Sequence, residues 1–128
     1  MKIYLASPII SMKKPKQLKY SSEKMSRNKI IAEKLIKNGF DVFLPQENQK
    51  STAKLTLENE LQQIKKCDIL IAVLSDTKGV YLETGYAKGI GKKIYGLQVE
   101  ETGPVSEWLN NFFDYIAKNT EDLIQYLK

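Results

Sequence analysis

Short, almost continuously apolar runs alternate along this chain with longer segments in which apolar residues recur at helical spacing. A run of the first kind is typical of a strand that is buried on both faces of a parallel sheet. Four such runs are predicted to be strands, and they cover residues 3–6, 40–44, 68–74 and 93–97.

The longer segments predict helices. The first covers residues 22–38, with a serine cap before it and Gly39 at its end. Its apolar stripe consists of Met25, Ile30, Ile31, Leu35 and Ile36. The second covers residues 56–66, and Thr56 is its predicted cap. Its inward side chains are Leu57, Leu61 and Ile64.

Three more helices are predicted in the second half of the chain. One covers residues 80–90. Gly103-Pro104 then breaks the chain before a helix over residues 105–118. Thr120 is predicted to cap a last short helix, which carries Leu123, Ile124 and Leu127.

Strands that alternate with helices indicate a parallel sheet with right-handed crossovers. The predicted fold class is therefore α/β, a doubly wound flavodoxin- or Rossmann-like sheet with helices on both faces, in a single domain over residues 1–128. In such folds ligands bind beyond the carboxyl ends of the strands. The residues expected there are Ser7, Pro8, Pro45, Gln46, the segment from Ser75 to Gly79, and Gln98.

Composition removes several kinds of chemistry. The 128 residues contain no histidine and a single cysteine, Cys67, so carboxylates, hydroxyls and lysines are left to carry any reaction. No metal or redox cofactor is implied. No stretch approaches the ~20 apolar residues of a membrane span, and the first residues do not resemble a signal peptide. A cytoplasmic protein without membrane contact is expected.

The formal net charge is +5, but the basic residues are spread along the chain. This pattern favours a solvated, lysine-rich surface over binding to a nucleic acid polymer. The densest basic group follows the first strand and suits attraction of an anionic small molecule, although a solvated loop explains it equally well. It contains Lys13, Lys14, Lys16 and Lys19.

Two glutamates are candidates for chemistry. Glu83 lies near the start of the third helix on a stripe with Ala87 and Ile90, and therefore faces the sheet at its ligand-binding edge. Taken alone, its spacing favours a glutamate placed for the helix dipole, but the helix begins where the strand ends open, so the carboxylate can face a bound ligand. Glu60 comes one position before the inward Leu61, where spacing alone favours an exposed helical glutamate.

Several segments, taken in order, resemble the nucleoside 2-deoxyribosyltransferase family over nearly the whole chain. They cover residues 2–8, 39–45, 60–74, 91–97 and above all Leu82-Glu83-Thr84-Gly85-Tyr86-Ala87. The resemblance implies that Glu83 is the nucleophile, that Glu60 assists at the base or sugar, and that Tyr4 lies in the site. It also implies small-molecule partners, namely a nucleoside or nucleotide and a nucleobase. A neighbouring subunit would complete each pocket in a dimer or larger assembly.

These residue types suit cleavage of an N-glycosidic bond. Breaking the bond at C1' develops oxocarbenium character on the sugar, which a carboxylate can stabilise or trap as a covalent ester. A second acid in the same pocket can protonate or hydrogen-bond the departing base. The resemblance implies that the substrates are 2'-deoxynucleosides or their 5'-monophosphates, and that the deoxyribosyl group passes to another nucleobase or to water.

The sequence does not decide whether the substrate carries a hydroxyl or a phosphate at its 5' position. Family members usually carry Asp six residues before the nucleophile and Asn early after the fourth strand, where this chain has Thr77 and Ser106. The related 2'-deoxynucleoside 5'-monophosphate N-hydrolases carry hydroxyl residues there, and Ser106 would start a helix, a natural anion site. Asp76 is only one residue away and would restore the transferase pattern. A plain N-cap at Ser106 and a turn at Asp76-Thr77 explain these residues as well.

Two alternatives belong to other classes of protein, because fold does not fix function. One is a non-catalytic nucleotide-binding sensor, which would not need Glu83. The other is an interaction domain that binds an acidic partner through its lysines.

A homodimer or larger assembly is also expected from the residues themselves. The segment near Ser106 carries more large apolar side chains than one face of a terminal helix can bury against its own sheet. They are Trp108, Leu109, Phe112, Phe113 and Tyr115.

Overall fold

A computed structural model describes residues 1–14 and 17–128. Side chains are described for all of these except residues 11–14, 17 and 18. The strands are β1 (Lys2–Ala6), β2 (Ile10–Lys14), β3 (Gln17–Tyr20), β4 (Asp41–Phe43), β5 (Ile69–Leu74), β6 (Lys93–Gln98) and β7 (Tyr115–Ala117). Five of them form one sheet in the order β4-β1-β5-β6-β7, and every pairing in it is parallel. The other two form an antiparallel hairpin.

Helices connect the strands of this sheet. They are α1 (Ser22–Lys37), α2 (Ala53–Lys66), α3 (Lys78–Gly89), α4 (Glu107–Phe112) and α5 (Thr120–Leu127). In the part of the chain that the structure describes, no helix has the length and apolar character needed to cross a membrane.

The order of the strands reverses between β1 and β5. The chain runs from β1 to the edge strand β4, and then returns across β1 to β5 and onward to β7. Ligands of doubly wound sheets bind at this kind of switch point, beyond the carboxyl ends of the strands. The predicted doubly wound α/β fold is confirmed.

Each face of the sheet has its own hydrophobic core. Helices α1 and α5 cover the face that carries Ile3 and Leu5. Helices α2, α3 and α4 cover the other face, which carries Tyr4 and Ala6. Successive side chains of a strand point to opposite faces. Tyr4 is therefore directed toward α2 and α3.

The helix caps agree with the prediction at some ends and not at others. Gly39 follows α1 with φ +93, a conformation that glycine adopts without strain. The cap of α2 is Thr52, whose side chain accepts from the Leu55 N–H, so the predicted cap Thr56 is wrong. Thr56 is buried one turn further on. The last helix is capped by Asn119 rather than by Thr120.

The predicted apolar stripes are partly wrong. Ile30, Ile36 and Leu57 are each 54% exposed. The buried stripe of α1 contains the predicted Ile31 and Leu35, together with Asn28 and Ala32. Helical faces follow spacings of three and four residues, so a polar residue within that spacing is buried while an apolar residue outside it is not.

The predicted helix over residues 105–118 is also wrong in its second half. Helix α4 ends at Phe112, and the chain then forms β7 beside β6. The Asp114 N–H donates to the Ile94 carbonyl, and the Asp114 carboxylate accepts from the Ile94 N–H. These two contacts dock the chain on the sheet edge. Pairing with the edge strand β6 therefore decides the structure of this segment, although its apolar residues have helical spacing.

The hairpin of β2 and β3 was not predicted, and the basic group expected after β1 falls on it. Lys16 lies outside the described residues, as do the side chains of Lys13 and Lys14. Lys19 is exposed. The alternation of polar and apolar residues in this segment is too short to separate a hairpin from a loop.

A stability prediction concerns Gly96 in β6. A Cβ added there would lie 3.1 Å from Leu74 Cδ1 and 3.2 Å from Ile116 Cγ1. We expect Gly96→Val to lower the free energy of unfolding by about 1–3 kcal/mol in urea denaturation, because the packed sheet has no room for the new side chain.

Gly89→Ala is the matched control. A Cβ on Gly89 meets nothing within 4 Å among the described residues, so this variant should keep or slightly raise stability. A Gly96→Val variant that unfolds at the wild-type urea concentration would show that the sheet yields at this point.

Candidate active site

Glu83 lies in α3, the helix that leaves the carboxyl end of β5. The helix packs on the sheet through Val80 and Ala87, which are buried. Glu83 follows Val80 by three residues and precedes Ala87 by four, so it lies on the same helix face. Ile90 was predicted to share this stripe, but it follows the helix as its C-cap and is 42% exposed.

The Glu83 carboxylate accepts a hydrogen bond from the hydroxyl of Tyr4. Tyr4 is fully buried in β1. Burial, and then the negative charge of Glu83, raise the pKa of the Tyr4 hydroxyl far above its ordinary value. The hydroxyl therefore keeps its proton and acts as a donor to the carboxylate.

An aromatic contact fixes the Tyr4 ring. Phe43 in β4 is the register partner of Tyr4. The two rings stack with centroids 5.3 Å apart and planes 21° from parallel. The stack restricts rotation of the phenol, and so directs its hydroxyl toward α3.

Glu60 belongs to the inward face of α2. Thr56 and Ile64, four residues before and after it, are both buried. Glu60 therefore lies in line with them, and the alternative of a fully exposed glutamate is wrong, since the residue is partly buried. Burial raises the pKa of its carboxyl group.

The pKa of the Glu83 carboxyl group responds to burial and to both neighbouring groups. Burial raises the pKa of Glu83 to about 7, the hydrogen bond from Tyr4 opposes this rise, and the charge of Glu60 adds to it. A carboxyl group that titrates near neutrality is a common feature of catalytic sites. On the α2–α3 face Tyr4 therefore contacts Glu83, and Glu60 lies close enough for its charge to raise the pKa of both.

The predicted residues after β1 lie at the switch point. Ser7 and Pro8 are buried, and the Ser7 hydroxyl donates to the Leu5 carbonyl at 3.3 Å. The amide nitrogen of Asn28 donates to the Pro8 carbonyl at 2.8 Å and to Gln46 Oε1 at 3.0 Å. Asn28 thus joins the segments that follow β1 and β4. This role of Asn28 was not predicted from the sequence. The signal that could have found it is a polar residue at the helical spacing of the buried stripe of α1.

Asp76, Thr77 and Gly79 connect β5 to α3. The Asp76 side chain is 92% exposed. Thr77 is the N-cap residue of α3, but its side chain makes no capping hydrogen bond. A Cβ on Gly79 would meet nothing within 4 Å among the described residues. The start of α3 therefore faces open space at the carboxyl edge of the sheet.

Ser106 is not brought to this edge by any contact among the described residues. Its hydroxyl accepts from the Leu109 N–H at 3.1 Å, so it caps α4. The residue is exposed. The capping role that the sequence left open is present in the structure.

A charged network at the carboxyl edge was not predicted. The Arg27 guanidinium in α1 contacts both carboxylate oxygens of Glu101, at 2.5 and 3.0 Å. Glu101 also accepts from the hydroxyl of Ser75 at 3.3 Å. These residues lie far apart in the chain, and their spacing gave no signal of their contact.

Solved structures with this fold include enzymes of nucleoside metabolism. A 2-deoxyribosyltransferase of Bacillus psychrosaccharolyticus superimposes with a TM-score of 0.81 at 22% identity, over 98% of this chain and 92% of that one. A CMP N-glycosidase of Clostridium botulinum gives 0.61 at 19% identity, over 99% and 98%. A 2-deoxyribosyltransferase of Leishmania mexicana gives 0.60 at 20% identity, over 77% and 65%. No curated sequence matches the chain significantly.

A doubly wound sheet of this kind, which binds its ligands at the carboxyl ends of its strands, is a framework of many enzymes. The family model described as nucleoside 2-deoxyribosyltransferase matches residues 3–115. The chain belongs to this family. It is therefore an enzyme of nucleoside deoxyribosyl transfer or N-glycosidic cleavage, as the sequence predicted.

A prediction about Tyr4 follows from the hydrogen bond to Glu83. If activity requires ionised Glu83, kcat/KM rises as the pH passes through about 7. Tyr4→Phe removes the donor that stabilises the charged form, so the pKa of Glu83 should rise further. We expect the acidic limb of the pH profile to move to higher pH, with at least a several-fold loss of kcat/KM at pH 7.

Tyr115→Phe is the matched control. The Tyr115 hydroxyl also donates to a carboxylate, at 2.9 and 3.0 Å from the two oxygens of Asp122, but it lies on the opposite face of the sheet. Its removal should leave the acidic limb in place. An unmoved limb in Tyr4→Phe would mean that Tyr4 does not set the ionisation of Glu83.

Proposed function

We propose that the protein cleaves the N-glycosidic bond of a 2'-deoxynucleoside or its 5'-monophosphate, with Glu83 as the nucleophile that attacks C1'. The observation that carries the proposal is the Glu83 carboxylate, which is held by the buried Tyr4 hydroxyl at the edge where doubly wound sheets bind ligands.

Glu83 supplies the electrons of the first step. As the bond from C1' to the base breaks, positive charge develops on the sugar, and the carboxylate forms an ester with C1'. The Tyr4 hydroxyl keeps one carboxylate oxygen in place, since it donates to Glu83. Partial burial leaves the carboxylate less hydrated and therefore better able to stabilise the developing charge.

Glu60 suits the role of acid at the departing base. Its pKa is raised by burial, so it retains a proton to a higher pH than an exposed glutamate. The base takes the bonding electrons and needs a proton or a hydrogen bond on its nitrogen or oxygen. A carboxyl group on the neighbouring helix, close enough to raise the pKa of Glu83, can supply it.

The second step releases the sugar from Glu83. A second nucleobase attacks C1' to form a new nucleoside, or water attacks to form the free sugar, and either restores the carboxylate. Ser7, Pro8, Asp76, Thr77, Gly79 and Ser106 are proposed to bind the substrate. All but Ser106 follow β1 or β5 at the switch point.

Replacement of the nucleophile tests this proposal. Glu83→Gln should lower kcat at least about 1000-fold, because the amide cannot form the ester, yet the variant should fold and still bind substrate. Chromatography of the reaction mixture measures turnover. Glu33→Gln, at an exposed position in α1, should retain wild-type activity.

Near-normal turnover by Glu83→Gln would remove Glu83 from the mechanism. A wild-type protein that binds nucleotides and converts none would instead favour the sensor function. Incubation of each deoxynucleoside with and without a second free base separates the two second steps. A new nucleoside indicates transfer, whereas free sugar without one indicates hydrolysis.

We also propose a homodimer or larger assembly. Of the apolar residues that suggested it, Phe113 is buried, and Leu109 and Phe112 pack against the core. Trp108 remains 69% exposed, and Leu82 on α3 is 74% exposed. Large apolar side chains in solvent favour burial by a second copy. A dimer formed there would bring the Ser106 segment to a neighbour's site.

Charged substitutions test the assembly. Trp108→Lys should turn a dimer into a monomer in sedimentation experiments and lower turnover at least several-fold, because a lysine cannot be buried at an apolar contact. Ile36→Lys is the control, since Ile36 is 54% exposed on the opposite face. A wild-type monomer with full activity at all concentrations would contradict the proposal.

A further inference from the structure

Four charged side chains meet at the carboxyl edge of the sheet, around the ends of β1, β5 and β6. Two are cations from α1, Lys24 and Arg27, and two are anions from the loops after β5 and β6, Asp76 and Glu101. Lys24 also donates to the carbonyl of Ile10 at 3.3 Å. None of them contacts the Tyr4–Glu83 pair among the described residues.

These side chains form two ion pairs, and the Arg27–Glu101 pair is closer than the Lys24–Asp76 pair. Both guanidinium end nitrogens donate to Glu101, at 2.5 and 3.0 Å, which is the bidentate geometry that also suits a phosphate. The side chains are 28% and 32% exposed. The hydrogen bonds from Arg27 lower the pKa of the Glu101 carboxyl group. Glu101 therefore stays ionised and occupies the arginine.

Glu101 reaches the loop that leads to the nucleophile. It accepts from the hydroxyl of Ser75, which is buried. Asp76, Thr77 and the start of α3 come next in the chain. The adjacent Thr102 hydroxyl donates to the Leu74 carbonyl at 2.7 Å, so the loop after β6 is joined to the end of β5. The Glu101 carboxylate thus lies beside the segment proposed to bind the sugar.

The charges at this edge are balanced by the protein itself. Lys24 lies 3.8 Å from Asp76, and Arg27 is paired with Glu101. A phosphate group would find the arginine already occupied and would meet two carboxylates, which repel it. A sugar hydroxyl has no charge and can donate a hydrogen bond to a carboxylate.

We propose that Glu101 is a specificity-determining residue that favours a free nucleoside over its 5'-monophosphate by occupying Arg27. The inference rests on the proposed function, because it assigns the substrate class of that same site. Among the described residues the guanidinium group of Arg27 is held by Glu101 alone, since its Nε–H is buried and has no hydrogen-bond partner there.

The experiment compares kcat/KM for a deoxynucleoside and for its 5'-monophosphate. The wild type should prefer the nucleoside. Glu101→Gln removes one negative charge and frees Arg27, so the ratio of nucleoside to monophosphate should fall by about tenfold or more. Most of that change should be a lower KM for the monophosphate. The double variant Arg27→Met/Glu101→Gln should lose the gain.

Glu47→Gln is the matched control. Glu47 pairs at 2.6 Å with Lys29, which lies on α1 like Arg27, and the side chains of Glu47 and Lys29 are 49% and 55% exposed. The Glu47→Gln variant breaks an ion pair of α1 that lies away from the loop after β6. The ratio of kcat/KM for the nucleoside to that for the monophosphate should therefore stay unchanged. Circular dichroism and thermal unfolding of each variant separate a change in preference from a loss of folded protein, and Glu101→Ala, which also removes the charge, serves in place of Glu101→Gln if the latter unfolds.

A wild type that prefers the monophosphate, or a Glu101→Gln ratio within twofold of the wild type, would overturn the inference. The same change of ratio in the Arg27→Met/Glu101→Gln variant would overturn it too, because the effect would not pass through Arg27. Failure of the wild type to cleave either substrate would instead reject the proposed function.

Discussion

The hydrogen bond from Tyr4 to the Glu83 carboxylate is the contact on which this site depends. A carboxylate placed between a helix and a sheet loses hydration, and the cost is visible in a pKa of about 7. The Tyr4 hydroxyl offsets part of that cost because it donates to the charged form. The two residues are 79 positions apart in the chain. The packing of α3 on the sheet that contains β1 brings them into contact.

The two faces of the sheet carry different parts of the candidate site. Alternation along β1 directs Tyr4 to the α2–α3 face, where Glu83 and Glu60 lie. The carboxyl edge is organised mainly from the other layer, where Asn28 and Arg27 of α1 bind the loops after β1, β4 and β6. The groups proposed for catalysis thus lie on β1, α2 and α3, whereas the cations that organise the edge lie on α1. A substitution in one set can alter selectivity without disturbing the other.

The sequence predicted the candidate nucleophile more securely than its surroundings. Glu83 was found from its place at the start of a helix after a buried strand, and from its motif. Glu60 was placed beside the inward stripe rather than on it, because Leu57 and Leu61 suggested a different face. The structure buries Ile64, as predicted, together with Thr56, and leaves Leu57 exposed. An apolar pattern with several large residues on both sides of a short helix does not fix its orientation.

The sequence by itself determined the alternation of strands and helices, the doubly wound class and the end of the sheet at which to look for ligands. These features depend on the spacing of apolar residues close together in the chain. The tertiary structure decided that Tyr4 donates to Glu83, that Arg27 is occupied by Glu101, and that the chain after α4 becomes a strand. Each of these depends on contacts between residues remote in the chain, whose geometry exists only once both faces of the sheet are packed.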